Sequence, residues 1–157
     1  MRKAHKLLLG VLLVLVAWPG VLLAATVWTG PALVVSSAAQ PDKITARVWL
    51  ARDSRQGLYN SKVETGFAHY FSPADTEWAN GTTADYATLA YTDWNTWSKD
   101  INGGPPNTVG LNAVLHLIKD DIYIDITFTS WSAGGGYAYV RSTPAVGVVP
   151  PDRKSVV

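Results

Sequence analysis

Glu64 and Glu77 are the only glutamates in the chain. A glycosidase built on a β-sandwich needs two carboxylates facing each other at about 5 to 9.5 Å, one as proton donor and one as nucleophile or base. Glu77 stands in the run Asp75-Thr76-Glu77-Trp78, where a neighbouring indole would strip water from a carboxyl group, the setting of a catalytic acid. The plainer role for both is a solvated loop carboxylate or an acceptor for nearby backbone amides, and no compact acidic glycosidase motif surrounds them. Asp121 and Asp125 are four residues apart on one strand pattern, so they share a face with Tyr123 between them. With Asp120 nearby they offer oxygens to calcium, an ion that takes about 6 to 8 of them. Calcium-loop spacing is absent, and acids on the polar side of a strand are ordinary. His116 lies among apolar neighbours and His69 stands alone; each reads as a histidine satisfied inside the fold rather than as a ligand or base.

Other hydrolase and nucleotide signatures are missing. No Ser sits in G-x-S-x-G, no H-E-x-x-H occurs, and Gly134-Gly135-Gly136 has no helix pattern after it, so it is a turn rather than a phosphate cradle. Zero cysteines rule out disulfides, thiolate metal sites and a cysteine nucleophile. Nothing calls for a cofactor. What stands out is the aromatic set Trp78, Trp94, Trp97 and Trp131 with Tyr86 and Tyr91. Exposed rings stack on sugar faces and dominate protein interfaces, while buried ones fill a core. Trp94-Asn95-Thr96-Trp97, between a weak strand pattern and a glycine-rich loop, is the expected exposed pair, since loops on a rigid scaffold usually carry function. Trp78 and Tyr91 complete the expected ligand-binding set.

The elements that position these residues read as strands. In residues 121–131, Ile122, Ile124, Ile126 and Phe128 alternate with Tyr123, Asp125, Thr127, Thr129 and Trp131, a period of two. Residues 113–118 are apolar on both faces apart from His116, and Lys119-Asp120-Asp121 makes the turn of an antiparallel hairpin. After the glycine triplet, residues 137–141 return as a third strand of a meander. Residues 44–51 alternate as well and predict one half-buried strand; residues 26–28 and 33–35 flank Gly30-Pro31, and residues 86–91 form a weaker candidate. Residues 102–107 must be loop, and residues 94–99 suit at most a short helical turn. The fold class that follows is all-β, a two-sheet antiparallel sandwich or jelly roll over residues 26–144.

The ends place the protein. Arg2, Lys3 and Lys6 precede the apolar stretch 7–18, a Pro19-Gly20 break and the small pair Ala24-Ala25, the layout of a secretory signal peptide over residues 1–25, although A-x-A is not met. The competing reading is a retained membrane anchor, for which about 20 apolar residues are needed. Without those three basic residues, ten Lys and Arg face twelve Asp and Glu, a net charge near −2 that offers no basic stripe to nucleic acid. The mature part holds six Trp and seven Tyr beside many Val, Ile and Thr, a mixture suited to pleated surfaces. Residues 145–151 read as the start of a linker or tail. Residues 152–157, Asp-Arg-Lys-Ser-Val-Val, match what a short-read sequencing adapter encodes, and the native frame is expected to continue past Pro151.

The run from Ala113-Val114-Leu115-His116-Leu117-Ile118 through Asp120-Asp121-Ile122-Tyr123-Ile124-Asp125-Ile126 to Phe128-Thr129-Ser130-Trp131, then the glycine triplet and Tyr139-Val140-Arg141-Ser142-Thr143-Pro144, resembles a family of exported bacterial proteins with no assigned activity. Val27-Trp28-Thr29-Gly30-Pro31 and residues 72–79 agree with it. The resemblance implies export and a β fold, and members often continue into a C-terminal sorting or anchoring tail; it implies no catalytic residue and no cofactor. Three functional classes follow. The first is a non-catalytic exported sandwich, extracellular, cell-surface or periplasmic, that binds polysaccharide or builds a cell-surface or matrix assembly, with no nucleic-acid partner and no membrane span in the mature part. The second is a secreted glycan-acting hydrolase using Glu77 with Glu64 or an aspartate. The third is a structural subunit that assembles through an edge strand.

Overall fold

The structure, a computed structural model, describes residues 24–36, 40–54 and 57–147. The leader expected over residues 1–25 and the tail expected from residue 145 fall, apart from 24–25 and 145–147, outside the described residues. In chain order the strands are β1 (Thr26–Trp28), β2 (Gly30–Ser36), β3 (Asp42–Lys43), β4 (Trp49–Arg52), β5 (Leu58–Asn60), β6 (Thr76–Asn80), β7 (Ala113–Leu117), β8 (Ile122–Trp131) and β9 (Tyr137–Thr143). Between β6 and β7 lie two short 3-10 turns, Thr83–Asp85 and Pro105–Thr108, and a π-helical segment, Thr96–Ile101. Among the described residues no helix is long and apolar enough to cross a membrane.

The alternating pattern of β8 makes it the spine. Its isoleucines and Phe128 are buried while Tyr123, Asp125 and Thr127 stay half-buried on the other face. The apolar β7 pairs with it antiparallel, Leu117 opposite Ile122 and Ala113 opposite Ile126, and β9 pairs along its second half, so the expected three-strand meander is present. The larger sheet runs β2-β9-β8-β7-β6, with β1 parallel to the first residues of β8. A smaller sheet, β3-β4-β5, packs on the face where Ile122, Ile124, Ile126 and Phe128 point. The molecule is an all-β two-sheet sandwich. Its core joins those residues to Val48, Leu50 and Leu58 of the smaller sheet and to Trp78, Trp94 and Trp97.

Polar ties fasten the layers, among them the pairing of Thr45 and Arg47 with Asp120, each at 2.8 Å. Asp42 of β3 accepts from Arg141 Nε and Nη2 of β9 at 2.7 and 2.9 Å and from the Tyr139 hydroxyl at 2.7 Å. Arg52 of β4 donates to the carbonyls of Ser132 and Gly136, at 2.8 and 2.6 Å, in the turn between β8 and β9. That turn needs a glycine, because Gly135 has φ +89° and a Cβ there would lie 2.6 Å from the Ser54 Cα.

Two expected strands differ. Residues 44–51 are not one strand but the bend and second arm of a hairpin. Ile44 N–H donates to the Val48 carbonyl, and the Thr45 hydroxyl accepts from the amides of Arg47 and Val48, a side-chain turn that outcompetes the extended ladder. Ala46, which a straight strand would place on one face with Ile44, Val48 and Leu50, is exposed. Residues 86–91 hold turns, not a strand: Asp125 fixes the Thr83–Asp85 turn just upstream, and only Thr92 bridges to Trp78. The short helical turn expected near 94–99 is the π-helical segment.

Candidate functional site

Where the π-helical segment, the β8–β9 turn and the loop after β5 meet, they leave an open cleft of about 920 Å3. One wall comes from the loop. Phe67 and His69 meet edge to face at 4.9 Å between ring centroids, and Tyr70 follows at 6.0 Å from His69. Trp131, at the end of β8, also lines the cleft, its ring 5.6 Å from that of the buried Trp94. The Arg52 guanidinium sits 3.7 Å above the Trp131 ring, so the arginine that ties down the turn also fixes the indole. Burial lowers the Arg52 pKa, with Tyr137 opposing, and a guanidinium remains charged all the same.

The sequence builds this cleft through local anchors. Asp53 Oδ2 accepts from the Phe67 amide at 3.1 Å, and Gly57 gives the Phe67 ring its seat: a Cβ at residue 57 would lie 2.4 Å from Phe67 Cε2 and 3.0 Å from the Trp94 indole nitrogen. Tyr70 has φ +69°, a left-handed conformation that is strained for a bulky residue and collects at functional loops. Tyr70 is 71% exposed and Phe71 65%. The Ser72 hydroxyl then accepts from the Trp94 amide at 2.7 Å, tying the loop to Trp94. Both oxygens of Asp93 hold Thr96, through its amide at 3.0 Å and its hydroxyl at 2.6 Å. Burial alone would raise the Asp93 pKa, but these hydrogen bonds bring it below the ordinary value.

The expectation of Trp94 and Trp97 as an exposed pair is overturned. Each is 1% exposed and Trp78 is 0% exposed; the three indoles pack within 5.5 Å of one another and against Phe128. Three-residue spacing in a helical turn puts Trp94 and Trp97 on one side, and that side faces the core, where a chain without disulfides needs bulk. Trp78 donates its indole N–H to the Thr76 hydroxyl and Trp97 to Asn80 Oδ1. Trp94 alone of the three lines the cleft, and its indole N–H has no hydrogen-bond partner among the described residues.

The two glutamates sit in separate settings. Glu64 Oε2 accepts from the amides of Asn60 and Ala74 at 2.6 and 3.0 Å, a structural tie. Glu77 lies on the outer face of the larger sheet, where its Oε1 is 2.7 Å from His116 Nδ1 of the neighbouring strand. His116 Nε2 is 3.3 Å from Asp121 Oδ1, and the imidazole stacks on Tyr123 at 4.1 Å. Of the two histidines expected to be satisfied inside the fold, His116 is, through partners from three elements, whereas His69 is exposed at the cleft. Tyr91 packs on the same group and donates to the Tyr86 carbonyl. Burial, then the neighbouring Tyr123 and Glu77, raises its pKa; burial, then Asp121, raises that of Tyr123. Asp125 spends both oxygens on the Thr83 amide and hydroxyl at 2.7 Å each, so Asp121 and Asp125 do not share a site. Among the described residues no group of three or more His, Asp or Glu is placed to hold a metal ion.

Sequence reasoning named Trp131 in its aromatic set but missed Phe67, His69, Tyr70 and Lys99 as companions. The available signal was the dense aromatic run Phe67-Ala68-His69-Tyr70-Phe71 ahead of Ser72-Pro73, too long a row of rings for a loop that packs nothing. Compared with known proteins, the chain matches no family description, no curated protein and no solved structure.

Proposed function

We propose that this protein is a non-catalytic exported module that binds polysaccharide in the cleft lined by Tyr70 and Trp131. One observation carries the reading: the rings of Phe67, Tyr70 and Trp131 line one open cleft large enough for sugar residues, and Tyr70, on a left-handed backbone, is left exposed rather than folded into the core. Glu64 and Glu77, the pair a hydrolase would use, are outside the cleft and engaged elsewhere. The test is depletion of the purified protein from solution by a panel of insoluble polysaccharides, with Tyr70→Ala and Trp131→Ala alongside. Each truncation removes a central aromatic anchor, worth about 1 to 2 kcal/mol or about 5- to 30-fold in affinity. Retention by at least one polysaccharide and its loss in both folded variants is expected; retention that both variants share equally would move the site elsewhere.

A second reading, assembly through an edge strand, has its own observation. β2 is one of the two outer strands of the larger sheet among the described residues, carries no charged residue, and exposes Leu33 and Val34, the latter 71%. Natural edges are usually guarded by a lysine or other charge. If copies pair there, sedimentation shows concentration-dependent oligomers that Val34→Lys abolishes; a monomer at all concentrations removes this reading.

A further inference from the structure

Resting on the polysaccharide reading above, we infer that the cleft selects acidic glycans, chains whose sugar rings carry carboxylates. Among the described residues, those that line it include Lys99, Arg52 and His69 and not one Asp or Glu, although acids outnumber bases in the chain after its first 25 residues. The acids nearest in sequence are turned to other work: Asp53 holds the Phe67 amide, and Asp93 holds the amide and hydroxyl of Thr96. Lys99 lies on the π-helical segment, exposed, and takes part in no ion pair among the described residues. Asp100 beside it is exposed but does not line the cleft. Neutral donors complete the set: the side-chain NH2 of Asn95 and the Trp94 indole N–H have no hydrogen-bond partner among the described residues. Rings to stack on the sugar, an ammonium for its carboxylate and N–H donors for its hydroxyls are complementary to a uronate-bearing chain and wasteful for a neutral one, because a strongly hydrated ammonium beside an uncharged ligand loses water without gaining a partner.

The experiment compares matched probes by calorimetric titration of the purified protein. Oligomers of galacturonate, alginate and hyaluronate are each set against their methyl esters, which keep the rings and remove the charge. At least one acid is expected to bind about tenfold tighter than its own ester in low salt, the size of a charge-assisted hydrogen bond at a partly exposed site. Lys99→Gln should bring that acid-to-ester ratio below about threefold, and Tyr70→Ala should weaken the acid itself by about tenfold. Equal binding of acid and ester, or binding of neutral polysaccharides alone, overturns the acidic preference and leaves the polysaccharide reading standing. Binding to no polysaccharide of any kind overturns both. Acid binding that Tyr70→Ala and Lys99→Gln leave untouched is surface charge alone and also overturns the inference.

Discussion

Asp42→Ala removes one carboxylate that takes three hydrogen bonds from two side chains of the opposite sheet. The Asp42 and Arg141 side chains are 8% and 5% exposed, so the variant strands a buried guanidinium and a buried Tyr139 hydroxyl. Breaking a buried pair from one side costs about 3 to 5 kcal/mol, because the charge left behind has lost its compensation. For a domain of this size each kcal/mol is worth about 3 to 5 °C, so the midpoint should fall by roughly 10 to 20 °C. Asp42→Asn, which keeps an acceptor of the same shape, should cost less than half as much. Replacing all three partners with apolar residues, Asp42→Leu with Arg141→Met and Tyr139→Phe, should recover most of the loss, since none of the three side chains is then left unpaired. Calorimetry together with urea melts gives the midpoints and the slopes. An Asp42→Ala midpoint within about 3 °C of the parent, the shift expected of an exposed pair, would refute the claim that this tie joins the sheets from a dry environment.

Other perturbations follow from named contacts. Gly57→Ala pushes the Phe67 ring out of its seat and should cost about 1 to 3 kcal/mol while weakening any ligand of the cleft; unchanged stability and binding would mean that the ring has room to move. Burial, reinforced by Asp42, pushes Tyr137 up to about 12 and Tyr139 well above its ordinary value. Each keeps its proton past the pH near 10 at which the unfolded chain gives it up, so stability is intact below about pH 10 and falls as pH rises toward 12 by up to about 1.4 kcal/mol per unit for each group. Urea melts from pH 8 to 12 should show that fall, with a shallower slope in Tyr137→Phe; a flat profile contradicts it. Asp125→Ala releases Thr83 and should speed amide exchange in residues 81–91 while β7 and β8 stay protected; uniform protection would show that the segment is held by other contacts.

How far the sequence could be read follows from which forces are local. The period of two in β8 is written in consecutive residues, so the meander, its register and its buried face were legible; Leu117 opposite Ile122 follows from a short turn and matched patterns. The hairpin at residues 44–51 was hidden, because alternation of Ile44, Val48 and Leu50 fits a straight strand as well as a bent one, and the Thr45 hydroxyl decides between them. The tryptophans show the other limit. Trp94 and Trp97 sit between a loop and a turn pattern in the sequence, and only tertiary packing reveals that the turn presents them inward, against Phe128. The cleft itself gathers Arg52, Tyr70, Lys99 and Trp131 from separate elements, and no spacing rule links residues that the fold alone brings together. His116 was legible as a satisfied histidine, but its partners Glu77 and Asp121 depend on strand order and on the left-handed turn at Asp121.

The central claim is that a glycan occupies the cleft against Trp131 and Trp94. Indole N–H signals in a nitrogen-15 spectrum test it most directly, because the tryptophans supply their own controls. On titration with an oligomer of any polysaccharide that retains the protein, the Trp131 and Trp94 indole signals should shift. Those of Trp78 and Trp97, bonded to Thr76 and Asn80 inside the core, should stay in place. A saturating glycan that leaves Trp131 and Trp94 unmoved, or retention by no polysaccharide at all, would contradict the account.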